Sequence, residues 1–376
     1  LDLFLFFVFW ELMLLPMFFL IALWGGPRRA QAALKFFLYT LAGSAPLLLG
    51  ILALHLHGPK TIIDGQLLPT FDLVELAAWG RRGGFAVAAP IFGIAWTRLV
   101  WLALFIGLAV KIPIVPLHTW LPDAHVEAPT PISVILAGIL LKTGVYGLVR
   151  INFAVLPHES VSLAPLVSTL GALAIVYGAL VCLAQKDLKR LIAFSSISHM
   201  GFCLLGLGAL TQAGLDGAVL NLLTHGLISP MLFLVAGVLY DRAHHRRIDG
   251  FGGLASTMPE YATLLSLSFF ASLGLPGLCG FVSEFTVFAG SLQPRLVQTL
   301  FGATSLVLTA AYYLWALQRV LFGKASEENA RLPDVNWRER LTLWPLGLLI
   351  VLFGLWPRPL VDGMHASLAL LLSQLR

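Results

Sequence analysis

Long runs of apolar residues dominate the sequence and determine the solvent in which the chain can fold. Residues 163–184 form one such run and contain no charged side chain. A helix of about 20 residues, rising 1.5 Å per residue, crosses the roughly 30 Å of hydrocarbon in a bilayer. Hydrophobic residues make up 58% of the chain and charged residues only 11%, about half the charged share of ordinary globular domains. We therefore expect a polytopic membrane protein.

The apolar runs predict an all-α fold with ten transmembrane helices. Membrane-spanning strands would alternate apolar and polar residues, whereas these runs are continuously apolar. The predicted spans are 1–24, 36–56, 98–122, 130–151, 163–184, 190–210, 217–240, 262–290, 296–318 and 341–357.

Lysine and arginine are distributed unevenly between the two sets of loops. Loops on the same side as residues 25–35 hold 14 of these basic residues, and loops on the other side hold 8. Because basic loops stay on the cytoplasmic side, we predict that the 25–35 loop is cytoplasmic. The net charge of +5 forms no basic patch interleaved with aromatic residues, so we expect no nucleic-acid partner.

The sequence opens at Leu1, inside an apolar run and without a preceding basic segment. This pattern is not typical of a signal peptide. We expect the natural N-terminus to lie upstream.

Two of the predicted spans contain helix breakers. Pro113 and Pro116 interrupt the third span, and Pro276 in the stretch GLPGLCGF interrupts the eighth. Proline removes a helix hydrogen bond, and the freed carbonyls need partners in protein or water, so such breaks normally line a cavity. Because the breaks are five spans apart, an odd number, they predict inverted five-helix repeats. Chance spacing of two kinked helices is the alternative.

Four charged side chains lie well inside predicted spans rather than at their ends: Glu11, Lys111, Lys142 and Glu284. A charge at the bilayer centre costs at least about 2.5–3.5 kcal/mol on insertion scales, so each requires an explanation. We interpret them as a proton relay, since burial weakens the hold of a lysine on its proton and a nearby carboxylate restores it. The alternative is a structural ion pair between Glu11 and Lys111, although buried pairs contribute little net stability.

Three histidines in or near apolar spans could connect these charges. His118, His199 and His225 are candidates because imidazole titrates near neutral pH. A buried neutral histidine bonded to a backbone carbonyl explains each of them equally well.

A polar cluster in LPDAHVEAPTP resembles a set of metal ligands. It contains Asp123, His125 and Glu127. We interpret it instead as a re-entrant loop in which the aspartate caps the next helix.

Other motifs point away from redox chemistry in this chain. Cys182, Cys203 and Cys279 are isolated in apolar spans and predict inert buried thiols rather than a cluster or disulfides. The stretch from Gly250 to Ala255 superficially matches a dinucleotide fingerprint, but it follows a membrane helix rather than a strand. We expect no cofactor and no metal in this chain.

Four stretches resemble the antiporter-like subunits of respiratory complex I. They are FFVFWELMLLPMFFLIALWGG, LAVKIPIVPLHTWLPDAHVEAPTPISVILAGILLKTGVYGLVR, DLKRLIAFSSISHMGF and GLPGLCGFVSEF. The resemblance implies a fourteen-helix fold with two inverted five-helix repeats and broken helices seven and twelve. This chain would then correspond to helices five to fourteen. Residues 1–151 would be the remainder of the first repeat, 163–322 the second repeat, and 323–376 the last loop, helix and tail.

The resemblance also implies roles for individual residues. It makes Glu11 the helix-five glutamate that pairs with Lys111, and Lys142 the central lysine of helix eight. Glu284 stands where L-type and N-type relatives usually carry lysine, which implies the M-type branch. The remaining matches, His118, His199 and His225, would lie on a hydrated central axis.

The function that the resemblance implies is proton translocation by a membrane-arm subunit of NADH:quinone oxidoreductase. Lys111 would load the proton under the control of Glu11, Lys142 would relay it, and Glu284 would be the outward gate. FMN, iron–sulfur clusters and quinone would belong to other subunits.

The same resemblance implies partners and a location. L-type and N-type chains and lipids would be the partners. The membrane would be the bacterial inner membrane, with the mitochondrial inner or thylakoid membrane as alternatives.

Two other functions fit the same motifs. One is a proton-coupled subunit of a cation/proton antiporter, a hydrogenase-linked complex or a ferredoxin-driven photosynthetic complex. The other is a membrane scaffold whose charges only hold helices together.

Overall fold

The apolar runs fold into helices because hydrocarbon offers no hydrogen-bond partner to a free backbone amide or carbonyl. A computed structural model of the protein describes residues 1–63, 66–87, 89–91 and 93–375. The predicted all-α membrane fold is confirmed. One short antiparallel hairpin, of β1 (Lys60–Ile63) and β2 (Gln66–Pro69), lies in the connection between the second and third predicted spans.

The first half of the chain contains nine helices among its described residues. In order, α1 to α9 are Leu3–Leu12, Leu14–Trp24, Arg29–His57, Leu73–Arg81, Trp96–Lys111, Trp120–Glu127, Thr130–Ile135, Leu141–Gly147 and Pro157–Leu183. The helix α8 is flanked by two π-helical segments, Leu136–Leu140 and Leu148–Phe153. A short 3₁₀ turn covers Gly84–Val87.

The second half continues the helical pattern. In order, α10 to α19 are Leu188–Ala209, Gln212–Ala243, Leu254–Thr257, Pro259–Ser272, Cys279–Ser291, Leu296–Ala303, Ser305–Leu321, Glu327–Ala330, Trp337–Leu355 and Arg358–Leu375. A 3₁₀ turn, Ile248–Gly250, precedes α12, so the glycine-rich stretch that begins at Gly250 follows helical structure rather than a strand.

Among the described residues, seven continuous helical stretches are long and apolar enough to cross a membrane. They are Leu3–Trp24, Arg29–His57, Thr130–Phe153, Pro157–Leu183, Leu188–Ala209, Gln212–Ala243 and Leu296–Leu321. An eighth candidate is α18 followed by α19, which turns by 68° at the junction. The other two predicted spans are those with helix breakers, which the structure splits into shorter helices.

Both breaks fall where the sequence places proline, which glycine accompanies at the second break. The third predicted span is divided into α5 and α6, and the eighth into α13 and α14. Pro113 and Pro116 lie in the first gap and Pro276 in the second, where each lacks the amide hydrogen that a helix requires. Whether the two halves are inverted repeats of one another stays a prediction.

The helix α10 lies at the centre of the bundle, and its apolar stretch is wholly buried. It packs against α9 through glycines. A Cβ atom at Gly201 would lie 2.6 Å from the carbonyl oxygen of Gly171, and a Cβ atom at Gly171 would lie 2.7 Å from that of Gly201. Small residues are favoured at such crossings because they let two helix backbones approach closely in a membrane.

This contact predicts the effect of adding a single methyl group. We expect Gly201→Ala to lower the free energy of unfolding by about 1–3 kcal/mol, because overpacking separates α9 from α10. Gly363→Ala on α19 is the matched control, since nothing lies within 4 Å of its Cβ position. Thermal unfolding of both purified variants in detergent measures the difference. Equal unfolding midpoints for the two variants would show that the close approach of α9 and α10 is unimportant.

Candidate functional site

The first helix break positions Lys111 at the end of α5. The amide of Ile112 still donates to Leu108 O at 2.9 Å, but the amide of Ile114 bonds Ala109 O at 3.1 Å, so the regular ladder ends here. The carbonyl of Val110 accepts a hydrogen bond from Trp120 Nε1 at 2.9 Å. A buried indole thus satisfies a carbonyl that the break frees, which is what a membrane interior requires.

The ammonium group of Lys111 is surrounded by aromatic and sulfur groups rather than by carboxylates. The residue is only 1% exposed. Its Nζ lies 3.5 Å from Met13 Sδ and 4.4 Å from the centroid of the Trp10 ring. The Trp10 ring is itself held by a 3.2 Å hydrogen bond from its Nε1 to Ser44 Oγ. A cation over an indole face is stabilised electrostatically, but less than by a direct carboxylate contact.

Glu11 lies next to Trp10 on α1 and is close to Lys111 without being bonded to it. Its Oε1 is buried and has no hydrogen-bond partner among the described residues, which also form no salt bridge between Glu11 and Lys111. The structure therefore brings the two predicted partners into one region but forms no direct contact between their charged groups among the described residues.

The second lysine, Lys142, lies on α8 between the two π-helical segments. Its Nζ donates to the backbone carbonyl of Ala137 and lies 2.7 Å from His225 Nδ1 on α11. π-Helical turns leave backbone groups less well paired than α-helical turns do and occur often at functional sites. Here one such turn supplies the carbonyl that orients the lysine toward the histidine.

The second helix break positions Glu284 near the start of α14. The carboxylate is buried, and its Oε1 lies 2.9 Å from Nδ1 of His199 on α10. Gly274 in the break has φ = 79°, and a Cβ atom there would lie 3.0 Å from Glu284 Oε2. Glycine is required here both for its left-handed backbone and for the space it leaves beside the carboxylate.

The two histidines connect Lys142 with Glu284. The ring centroids of His199 and His225 are 5.6 Å apart, and His225 Nε2 has no partner among the described residues. Both rings line a cavity of about 10 Å³ that Glu284 also lines, which is close to the smallest volume that holds a water molecule. A polar strip therefore crosses the apolar bundle. It consists, in order, of Lys142, His225, the cavity, His199 and Glu284.

Polar residues that sequence reasoning missed support this strip. Asn221 donates to the carbonyl of His199 at 2.8 Å, and its Oδ1 accepts from Ser283 Oγ at 3.2 Å. Ser283 also bonds Thr224 at 2.9 Å. Each is a common small polar residue in an apolar run, so only its contacts distinguish it from ordinary helix positions.

His118 stands apart from the strip. Its Nε2 lies 3.2 Å from the hydroxyl of Tyr177, and its Nδ1 has no partner within the described part of the chain. No described hydrogen bond connects it with Lys142. A water-filled gap would be needed for it to act with the other candidates.

The expectation that Asp123 caps the next helix is wrong. The carboxylate instead forms a 2.7 Å ion pair with Lys35, and α7 begins after Pro129 without a side-chain cap. Glu127 accepts the Arg28 amide at 2.9 Å. These two carboxylates therefore connect α6 to α3 and its preceding turn. Among the described residues no group of three or more His, Cys, Asp or Glu side chains is arranged to hold a metal ion.

The sequence interpretation places His125 in a re-entrant loop. The structure places it on α6, and its ring forms no hydrogen bond among the described residues. The residue is fully buried and stacks on Phe233 with ring centroids 4.4 Å apart, while both ring nitrogens lack partners in the described structure. Buried polar atoms without partners are uncommon and often mark an unseen water or a functional role.

A cavity of about 330 Å³ opens beside this region. Glu127, Asp241 and Arg246 line it together with Lys189, a buried lysine that donates to the carbonyl of Ala128. Lys189 falls at the start of α10, on the side predicted to be cytoplasmic. The predicted spans 163–184 and 190–210 leave Lys189 in a loop, whereas the fold buries its side chain.

The chain is similar to known proteins along nearly its whole length. The family model described as NADH:quinone oxidoreductase/Mrp antiporter, transmembrane, matches residues 1–309. NADH-quinone oxidoreductase subunit M of Rhodobacter capsulatus is 42% identical over 373 residues, which cover 98% of this chain and 71% of that protein.

Solved structures of membrane complexes also contain chains with a similar fold. A chain of respiratory complex I from Thermus thermophilus with bound NADH matches with a TM-score of 0.88 and 32% identity, covering all of this chain and 76% of that chain. A chain of the Mrp complex from Dietzia sp. DQ12-45-1b matches with a TM-score of 0.83 at 20% identity, over 100% of this chain and 76% of that one, and shows the fold alone.

The geometry at the second break predicts an energetic coupling. Gly274→Ala and Gly277→Ala both place a side chain at positive φ, 79° and 92°, and each should cost about 1–3 kcal/mol in strain. Only Gly274→Ala crowds Glu284, so we expect it to lose about 1–3 kcal/mol more through the broken bond to His199.

A double-mutant cycle with Glu284→Ala isolates the loss that comes from crowding the Glu284 carboxylate. The extra loss for Gly274→Ala should disappear in the Glu284→Ala background, while Gly277→Ala should be additive. Denaturant unfolding in detergent measures all five variants. Additivity of both glycine substitutions with Glu284→Ala would show that Gly274 does not hold the carboxylate in place.

Proposed function

Because the chain belongs to the NADH:quinone oxidoreductase/Mrp antiporter transmembrane family, we propose that it is an M-type membrane-arm subunit of a proton-translocating NADH:quinone oxidoreductase. The family that the sequence motifs resemble is confirmed. The protein is an integral membrane protein, and its bacterial relatives favour the bacterial inner membrane.

One observation carries the proton-transfer part of this proposal. Lys142 Nζ lies 2.7 Å from His225 Nδ1, and His199 Nδ1 lies 2.9 Å from Glu284 Oε1. A cavity of about 10 Å³, lined by both histidines and Glu284, lies between the two pairs. Proton transfer requires a donor and acceptor in hydrogen-bond contact, directly or through one water. Lys142 would pass a proton to His225, and one water in the cavity would complete the path to His199 and Glu284.

Uptake would occur from the cytoplasmic side. The cavity lined by Glu127, Asp241 and Arg246 reaches the buried Lys189, and His125 lies buried beyond it with both nitrogens unpaired. An imidazole can accept a proton on one nitrogen and release one from the other. His125 is therefore suited to carry protons from Lys189 and its cavity toward Lys142.

Glu11 and Lys111 would control when the relay is loaded. Approach of a carboxylate favours the charged form of a lysine, and its withdrawal favours release of the proton. Among the described residues, one Glu11 oxygen has no hydrogen-bond partner, and the Lys111 ammonium contacts Met13 and the Trp10 ring. Closing and opening this pair would bind and release a proton with a small side-chain movement.

Energy for that movement would come from the rest of the assembly. FMN, iron–sulfur clusters and quinone would be held by other subunits. Neighbouring L-type and N-type membrane chains would transmit the electrostatic change.

Neutralising the loading site or the gate should uncouple the complex. We expect Lys111→Ala and Glu284→Gln to lower NADH-driven proton pumping by about tenfold or more, because a transfer group is lost from the path. Lys324→Ala and Glu328→Gln, on exposed residues, are the matched charge controls. Proton uptake and NADH oxidation by the intact complex in proteoliposomes measure the effect.

Assembly must be checked alongside pumping. Variants that assemble fully and still pump normally would contradict the relay. Loss of assembly with normal pumping by the residual complex would instead favour the scaffold role.

The uptake path makes a separate prediction. His125→Phe keeps the stack on Phe233 but removes both ring nitrogens, so we expect an assembled complex whose coupled turnover falls about tenfold or more. His158→Phe, at an exposed position of α9, is the control. The initial rate of proton uptake from the cytoplasmic side is the measurement. An unchanged rate for His125→Phe would exclude His125 from the path.

A further inference from the structure

A chain of three hydroxyl groups ends on the imidazole of His199. Its Nε2 lies 2.9 Å from Ser272 Oγ, which lies 2.6 Å from the hydroxyl of Tyr313. The Tyr313 hydroxyl donates to Ser195 Oγ at 3.0 Å. All four side chains are buried, and of these four the proposed proton relay includes only His199.

The donor and acceptor in each of these hydrogen bonds follow from the bond that Ser195 makes at the end of the hydroxyl chain farthest from His199. Ser195 Oγ donates its single hydrogen to the backbone carbonyl of Ile192 at 2.8 Å, so it can only accept from Tyr313. Tyr313 then has no hydrogen left and must accept from Ser272. A hydroxyl has one hydrogen, so Ser272 must in turn accept from His199 Nε2.

We propose that Ser195, Tyr313 and Ser272 hold His199 in the Nε2-protonated form and thereby retain one proton in the bond between His199 Nδ1 and Glu284 Oε1. This inference deepens the proposed function and rests on it. The three hydroxyl residues are positioning residues, because they touch the proton-carrying pair only through Nε2.

The two protonation states of the pair then differ sharply in energy. With its proton, the pair is either imidazolium with carboxylate or neutral imidazole with carboxylic acid, and the 2.9 Å bond is intact in both. Without the proton, the Nδ1 lone pair of His199 faces the negative carboxylate of Glu284. That contact is repulsive and leaves two buried acceptors unpaired.

Release therefore requires the carboxyl group to move away from His199. The Cβ position left empty at Gly274 is 3.0 Å from Glu284 Oε2, the carboxylate oxygen other than the Oε1 that contacts the imidazole. One proton leaves on the carboxyl group of Glu284 and passes to the far side. One proton arriving through His225 restores the pair, so each cycle moves a single proton.

Other ionisable groups near the pair are few, and each is buried. From α11 it is approached by His225, which in turn contacts Lys142 of α8. The remaining titratable neighbours are Cys203 on α10, Cys279 on α14, and Tyr312 and Tyr313 on α16.

The experiment removes the hydroxyl of Tyr313 in the intact complex. In Tyr313→Phe, Ser272 is free to turn and donate to Nε2, so His199 can present Nδ1–H to the carboxylate. The deprotonated pair then gains a charge-assisted hydrogen bond and holds its proton less tightly. We expect the alkaline limb of coupled turnover to move about one to two pH units lower.

Tyr312→Phe is the matched control. Tyr312 is the adjacent buried tyrosine, and its hydroxyl is not a member of the hydrogen-bond chain from Ser195 through Tyr313 and Ser272 to His199. Its pH profile should overlay that of the unmodified complex. A second variant tests the chain from its far end: in Ser195→Ala, Tyr313 can donate to Ser272, and the same downward shift is expected.

The outcomes separate this inference from the proposed function. Profiles of Tyr313→Phe and Ser195→Ala that overlay the control would overturn the locked histidine, even if Glu284→Gln abolishes pumping. Normal pumping by Glu284→Gln would overturn the proposed function itself. A shift in both hydroxyl variants with unchanged assembly supports the inference, because loss of packing alone would lower turnover at every pH.

Discussion

Every backbone amide and carbonyl inside the hydrocarbon must find a partner within the protein, and this constraint shapes the whole molecule. Helices meet it locally, which is why the apolar runs fold as they do. Two spans cannot meet it with helix hydrogen bonds alone, because proline interrupts them at Pro113 and at Pro276. The groups freed there are satisfied by side chains such as Trp120 or lie at glycine turns. Lys111 lies at the first break and Glu284 near the second, where backbone groups outside the regular helix ladder already make the interior polar.

The same constraint explains why the charged groups have so few charged partners. Lys111 is stabilised by Trp10 and Met13, and Lys142 by a π-helix carbonyl and a neutral ring. A tight buried ion pair would be hard to separate, whereas these weaker contacts leave the proton free to move. Among the described candidate relay residues, the close pair of histidine and carboxylate is His199 with Glu284. It lies at the proposed gate and is hydrogen-bonded to the hydroxyl chain that we propose controls its tautomer.

Much of the site could be predicted from residue type alone. Glu11, Lys111, Lys142 and Glu284 stand out because a charge in an apolar run is costly, and the structure puts each of them inside the helical bundle. Their roles as a relay remain a proposal. Predictions failed where side chains are ordinary in sequence: Asp123 pairs with Lys35 instead of capping a helix, and Lys189 points inward rather than into a loop.

What the sequence by itself determined is therefore the class of protein, the helical spans, the two breaks and the family. Apolar length, proline position and uncommon intramembrane charges are local properties, so they can be read along the chain. Only the tertiary structure decided which groups meet: His225 with Lys142, His199 with Glu284, and Tyr313 with Ser272. These residues are 83, 85 and 41 positions apart. Contacts over such separations depend on how helices cross and rotate, which is set by packing of the whole bundle rather than by any single segment.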